Sequence, residues 1–210
     1  MKKVLMTIAL VVVAATSAFA QISVGAGYLA NTQKTAVTSG STTVTDAVAS
    51  QGFYAGADYT FDLGQGLGVV AGLKGAFLFV PEHEILLGAA TSKTNEVYLA
   101  VPVLCNYTYV LSNDLKLFAY AGPTLNFGLS SKTTATDKTG LTNTVTTTDN
   151  YADGSDYGKF NLMLGAGVGV DVMNTIRIKA GYDIGLLNRS SADDTKINDA
   201  QWYVGVAYLF

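Results

Sequence analysis

The sequence predicts an all-β fold in which eight antiparallel strands close up-and-down into a transmembrane β-barrel. Three observations carry that prediction. Charged residues make up 14% of the chain, against about 25% in ordinary soluble domains, while glycines number 22 and prolines only 3. Past residue 20 there is no apolar run long enough for a spanning helix. What fills the chain instead is alternation: apolar residues trade places with small or polar ones in eight separate segments.

Taken in order, the chain opens with Lys2 and Lys3, an apolar stretch from Val4 to Ala15, and Ala18-Phe19-Ala20. A basic start, a short apolar stretch and small-x-small residues are the parts of a secretory signal peptide, expected over 1–20. The barrel domain is then 21–210. Its strands are expected near 22–31, 51–62, 67–79, 95–111, 116–129, 158–172, 175–188 and 200–210. In 51–62 one face carries Phe53, Ala55, Ala57, Tyr59 and Phe61, and the other Tyr54, Gly56, Asp58, Thr60 and Asp62. Segment 175–188 divides the same way, with Ile176, Ile178, Ala180, Tyr182, Ile184 and Leu186 opposite Arg177, Lys179, Gly181, Asp183 and Gly185.

The connections alternate too. Short links follow the second, fourth and sixth strands, at 63–66, 112–115 and 173–174; long ones cover 32–50, 80–94, 130–157 and 189–199. Short turns at one end and long loops at the other are the pattern of an outer-membrane barrel, with both termini on the periplasmic side. A soluble lipocalin-like barrel shares the period but solvates its exterior with charge. Here the less apolar face is mostly Gly, Ala, Ser, Asn and Tyr, which suits a narrow lumen. Aromatics on the apolar face also collect in two belts. Tyr28, Phe53, Phe77, Phe79, Phe127, Phe160 and Trp202 fall toward the long loops. Tyr59, Phe61, Tyr107, Tyr109, Tyr208 and Phe210 fall toward the short turns, and Tyr182 sits between. A bilayer selects such girdles because amphipathic rings prefer its interfaces, so outer-membrane lipid is the expected surround.

The last segment, 200–210, is expected to close the barrel against the first. Within it Tyr203-x-Gly205-x-x-Tyr208-x-Phe210 resembles the C-terminal signal read by barrel-assembly machinery, which that resemblance implies as a partner during biogenesis. A second resemblance covers nearly the whole of 21–210. Tyr98-x-x-x-Pro102 followed by Ala121-Gly122-Pro123, with Leu164-Gly165-Ala166-Gly167-Val168-Gly169 and Ala180-Gly181-Tyr182, resembles the outer-membrane β-barrel domain family common in Bacteroidetes. The architecture is similar to that of small OmpA- and OmpX-like barrels. The resemblance implies a fold and a location, the outer membrane of a Gram-negative bacterium, and no assigned activity. Pro102 inside a strand implies a bulge or a lost ladder bond.

Eight charged residues fall on the interior face by the period-2 count: Asp58, Lys74, Glu96, Lys116, Asp171, Arg177, Lys179 and Asp183. Charges in a closed lumen must be paired or hydrated, and a tight turn at 172–176 sets Asp171 opposite Arg177. The expectation is a mutually satisfied polar core rather than an open channel. His83, the one histidine, shares a long loop with Glu82 and Ser92, the residue types of a rim-sited lipid hydrolase or acyltransferase. A solvated charge cluster is the plainer reading and is preferred. The same holds for the acidic loop Asp149-Asn150-Tyr151-Ala152-Asp153-Gly154-Ser155-Asp156 as a cation site, and for Asp193-Asp194 with Asn198-Asp199; the spacing is not that of an EF-hand. Cys105 is alone and fills an apolar strand position, and no cofactor or metal is implied. The net charge of −3 argues against a nucleic-acid partner. Thr42–Thr45 and Thr142–Thr148 read either as extended hairpins or as mobile surface, with disorder preferred over 131–156. The functional expectation is a non-enzymatic envelope or surface-binding barrel acting through its long loops on a ligand, partner or host surface. Its alternatives are a narrow or gated porin and a lipid-modifying enzyme.

Overall fold

Alternation over more than twenty residues, punctuated by residues that accept positive φ, builds long hairpins. The computed structural model describes residues 20–85, 90–137 and 144–210. The expected signal segment lies outside them, apart from Ala20. The strands are β1 Ala20–Ser39, β2 Thr42–Gly64, β3 Leu67–Ile85, β4 Ala90–Ser112, β5 Leu115–Asp137, β6 Thr144–Asp149, β7 Phe160–Val172, β8 Ile176–Gly185 and β9 Thr195–Leu209. Every pairing is antiparallel, and β1 pairs with both β2 and β9, so eight strands form a closed ring. Strand β6 stands apart from the ring, paired to the upper part of β5.

Tight turns close one end. Gln65 and Gly66, with φ of 55° and 81°, join β2 to β3; Met173 and Asn174, with φ of 54° and 53°, carry β7 into β8. Two successive positive φ values match the right-handed twist of the flanking strands, which is why such turns suit two-residue hairpins. At the other end the strands outrun the ring. The expected long loop 32–50 is instead a continuation of the β1–β2 ladder, from Asn31 opposite Ser50 to Ser39 opposite Thr42. Likewise 132–137 and 144–149 form a β5–β6 ladder, which corrects the expectation of disorder for those residues. Their threonines are β-branched, so a polar segment still fits a pleated surface. Hydroxyl pairs such as Thr134–Thr147, at 3.3 Å, knit it across the strands.

The β2–β3 ladder ends at Gln51 opposite Phe79, although both strands run on. Above that level the wall is therefore split into two arms, β2–β1–β9 and β3–β4–β5–β6. One extra residue at Leu129 shifts the β4–β5 register between Val97 and Tyr98. The bulge switches the parity of β5, so that Asn126 is inward below it and Ser131 inward above. At Pro102 the register is unbroken but ladder pairs are missing on both sides, a lost bond rather than a bulge.

Inside, large rings lie across glycines of other strands. A Cβ on Gly167 would collide with the Tyr120 ring, and one on Gly205 with the Tyr54 hydroxyl. Outside, Val24, Leu73, Val103, Val168 and Ile178 are all exposed. Apolar outside and polar inside is the inverse of a soluble barrel.

Candidate functional site

The structure brings most of the charges expected inside to the lumen, at two levels. At the short-turn level, Arg177 on β8 makes a bidentate pair with Asp171 on β7, both bonds at 2.8 Å, and its guanidinium lies 4.5 Å from the Phe118 ring centroid. The two residues are opposite each other in the ladder, so the tight turn sets the geometry. Lys179 donates to Asp58 at 2.6 Å, from β8 to β2 across the lumen, and Lys74 stands 3.9 Å from the other carboxylate oxygen. Asp183 accepts from Gln201 at 3.0 Å, and Gln201 in turn accepts from the Tyr98 hydroxyl at 3.0 Å. Lys116 is opposite Asp171 in register, yet it makes no ion pair among the described residues; Arg177 already takes both oxygens of that carboxylate.

The second level lies near the long-loop end, and most of its residues were not among the eight. Arg189 donates to Glu96 and to Asp199, both at 2.9 Å, and to the Tyr151 hydroxyl at 2.8 Å. Its guanidinium lies 4.3 Å from the centroid of Tyr157, which stacks on Tyr151 with centroids 5.6 Å apart. Asp199 also accepts from Asn161 at 3.0 Å, and Tyr151 donates to Glu96 at 2.6 Å. Burial works against the charge on Arg189, but Glu96, Asp199 and the two phenols outweigh it, and the guanidinium is held charged more firmly than usual. Burial, then Glu96, push the phenols of Tyr151 and Tyr157 well above their ordinary value.

Backbone bonds hold this plug. Gly158 donates to the Arg189 carbonyl at 2.6 Å and Ser191 to Asp156 at 3.0 Å, tying the 150–159 segment to the one after β8. The acidic loop thus serves as a lid: Asp149 accepts from the Tyr151 amide and Asp156 from the Ser191 hydroxyl. Among the described residues no group of His, Cys, Asp and Glu is placed to hold a metal ion.

Arg189, Asp199, Tyr151 and Tyr157 were missed because they lie beyond the expected strands. One signal was available. Arg189 keeps the odd-numbered parity of Arg177, Lys179 and Asp183, and Asp199 that of Gln201 and Tyr203. Carrying the count past the strand ends points both inward.

The lumen encloses cavities of only about 10 to 30 Å³, room for single waters. Above the plug a cleft of about 410 Å³ opens where β2 and β3 part, floored by Glu96 and walled by residues such as Gln33, Ser50, Thr94 and Thr133. His83 is opposite Ser92 in the β3–β4 ladder, and Ser92 lines the cleft.

The expected aromatic belts fall into two sets of neighbours. Tyr28, Phe53 and Phe77 are cross-strand partners on β1, β2 and β3, with Trp202 5.4 Å from Tyr28 and Phe79 6.2 Å from Phe77. Phe127 and Phe160 are opposite each other on β5 and β7. Toward the turns lie Tyr59 with Phe61, Tyr208 with Phe210, and exposed Tyr107 and Tyr109. In the last strand Tyr203 and Gly205 face inward and Tyr208 outward.

A closed ring, apolar outside and charge-paired within, agrees with the sequence comparison, which matches the outer membrane protein β-barrel domain over residues 14–190. The chain belongs to that family. Its place is the bacterial outer membrane, in contact with lipid. No curated protein matches the sequence. Among solved structures it is similar to Ail, the attachment invasion locus protein of Yersinia pestis, at 16% identity over 91% of this chain and 99% of that one, with a TM-score of 0.43. It is also similar to OprG of Pseudomonas aeruginosa, at 13% identity over 91% and 96% with a TM-score of 0.41. The outer membrane enzyme PagL is similar at 9% identity over 88% and 97%, with a TM-score of 0.40.

Proposed function

We propose that this member of the family is a non-enzymatic surface-binding barrel, exported by a signal peptide over 1–20 and presenting its long-loop end outward, with both termini periplasmic. One observation carries the reading: the lumen is filled at two levels by paired charges, while a cleft of about 410 Å³ opens at the long-loop end. Solute passage needs a continuous path, which the Arg189 plug and the Asp58–Lys179 pair interrupt. The two aromatic belts act as bilayer girdles, and Tyr203, Gly205, Tyr208 and Phe210 as the assembly signal. Planar-bilayer recordings of the purified protein test the reading against a porin. No current steps above the empty membrane are expected, and regular steps would overturn it.

A second reading, a lipid-modifying enzyme, draws on the placement of His83 opposite Ser92 at the cleft. Incubation with lipopolysaccharide, followed by mass spectrometry of the lipid, tests it. An acyl change abolished by His83→Ala supports the enzyme; an unchanged lipid supports the binding barrel.

A further inference from the structure

The cleft at the split between β2 and β3 is built from a narrow set of chemistries. Ten of its fifteen lining residues carry hydroxyl or amide groups, and four are aliphatic: Val48, Leu78, Val80 and Ile197. Its volume, about 410 Å³, falls within the range of small-molecule sites. The hydroxyls are partly used among themselves, as in Thr94–Thr133 at 2.9 Å and Asn150 to Ser131 at 3.0 Å. A hydroxyl has one donor and two lone pairs; Thr133 spends all three on Thr94 and Asn150, whereas Thr94 keeps capacity beyond its bond to Thr133.

Charge decides which ligand this wall suits. Lys34, Lys93 and Lys132 are all exposed, and each is adjacent in sequence to a residue that lines the cleft: Gln33, Thr94 and Ser131 or Thr133. Alternation therefore turns these lysines to the outer side of the arms. The cation at the floor, Arg189, is committed to two carboxylates, Glu96 and Asp199. None of the residues lining the cleft is a cation, and the one charged group among them is the carboxylate of Glu96, which disfavours an anion. A cation finds carboxylates already engaged by Arg189, Tyr151 and Asn161. What remains complementary is an uncharged molecule with many hydroxyls and small apolar C–H faces.

We infer that the cleft walled by Gln33, Ser50, Thr94, Thr133 and Asn150 is a binding site for neutral oligosaccharide. It rests on the surface-binding reading and names the ligand class for it. Cross-strand hydroxyls on two arms supply the donor and acceptor pairs that a sugar ring needs, and Val48, Leu78 and Val80 meet its apolar edges. The open top and the gap between β2 and β3 admit a chain longer than the cavity itself.

The test is calorimetric titration of the full-length barrel in detergent with maltotriose, cellotriose, chitotriose and mannotriose, beside a heparin tetrasaccharide as the polyanion. At least one neutral trisaccharide is expected to bind, and the heparin fragment is expected to bind more weakly than it. Thr94→Val with Thr133→Val keeps shape and β propensity and is expected to weaken the sugar about tenfold or more. The heat-modifiable gel shift confirms that the double variant still folds. Absence of binding by all four sugars up to about 10 mM, or affinity indifferent to the double variant, overturns the saccharide site. The surface-binding reading is scored separately, by adhesion of whole cells with and without residues 35–46 of the β1–β2 hairpin. Adhesion lost with the hairpin but untouched by the valine pair would keep that reading and remove this one.

Discussion

The two charged levels of the lumen are made from the same groups but behave as different materials. At the short-turn level every partner sits inside a closed ring of ladder bonds, and Asp171, Arg177, Asp58 and Lys179 are all buried. At the mouth, Arg189 draws on Glu96 from β4, Asp199 from β9 and Tyr151 from the lid, and the cleft lies directly above. The first level is a strut, fixed by rigid strands, and the second a latch, holding a segment that has no strand of its own. Both levels are buried, Arg189 and Asp199 as much as Asp58 and Lys179, so the difference lies in what holds the partners: ladder bonds at the first level, and at the second a segment outside the ring.

The sharpest way to break the comparison is at the strut. Asp58→Ala leaves Lys179 and Lys74 facing each other without their carboxylate, and is expected to cost about 3–5 kcal/mol in urea unfolding followed by the heat-modifiable shift. Arg189→Ala should cost less, about 1–3 kcal/mol, and should speed hydrogen exchange at Gly158 and Ser191 while leaving β7 and β8 protected. Equal losses at the two sites would erase the distinction. Gly167→Ala, which drives a methyl into the Tyr120 ring, is expected to cost about 1–3 kcal/mol without touching either charged level. The latch also has its own pH response. The phenols of Tyr151 and Tyr157 are raised in the folded state, so their contribution is whole below the unfolded phenol value of about 10 and is lost as pH climbs past it. Tyr157→Phe should flatten that alkaline loss, measured as unfolding midpoint against pH. Smallest of all is Lys116→Ala, expected within about 0.5 kcal/mol because Asp171 is satisfied without it.

How much of this was legible beforehand follows the same division. The strut could be read from the sequence because it lies on strands whose alternation fixes the inward face, and the Asp171–Arg177 pair follows from one tight turn. Lys179 with Asp58 could not be paired by counting, since the partners meet across the lumen and depend on closure and shear. The latch was harder. Tyr151 sat in a stretch that read as a solvated acidic loop, and Arg189 stood one residue past the expected end of its strand. The cleft was least visible of all, because it depends on the bulge at Leu129 and on the end of the β2–β3 ladder. Neither has a composition of its own. The threonine-rich β5–β6 ladder was misjudged for a related reason: low hydrophobicity argues for disorder only where no paired neighbour extends the ladder.

The separation of partners along the chain has a consequence for how the barrel enters a membrane. Asp171 and Arg177 are six residues apart in one hairpin, so these charges can neutralise each other before any other strand arrives. Lys179 and Asp58 are 121 residues apart and meet only when opposite walls face each other. The β7–β8 hairpin can therefore approach lipid with one of its two cations already masked, while the other keeps its hydration shell until the ring is almost complete. Shedding that shell belongs to the last stage of insertion, and a variant lacking Asp58 should stall there rather than at the start.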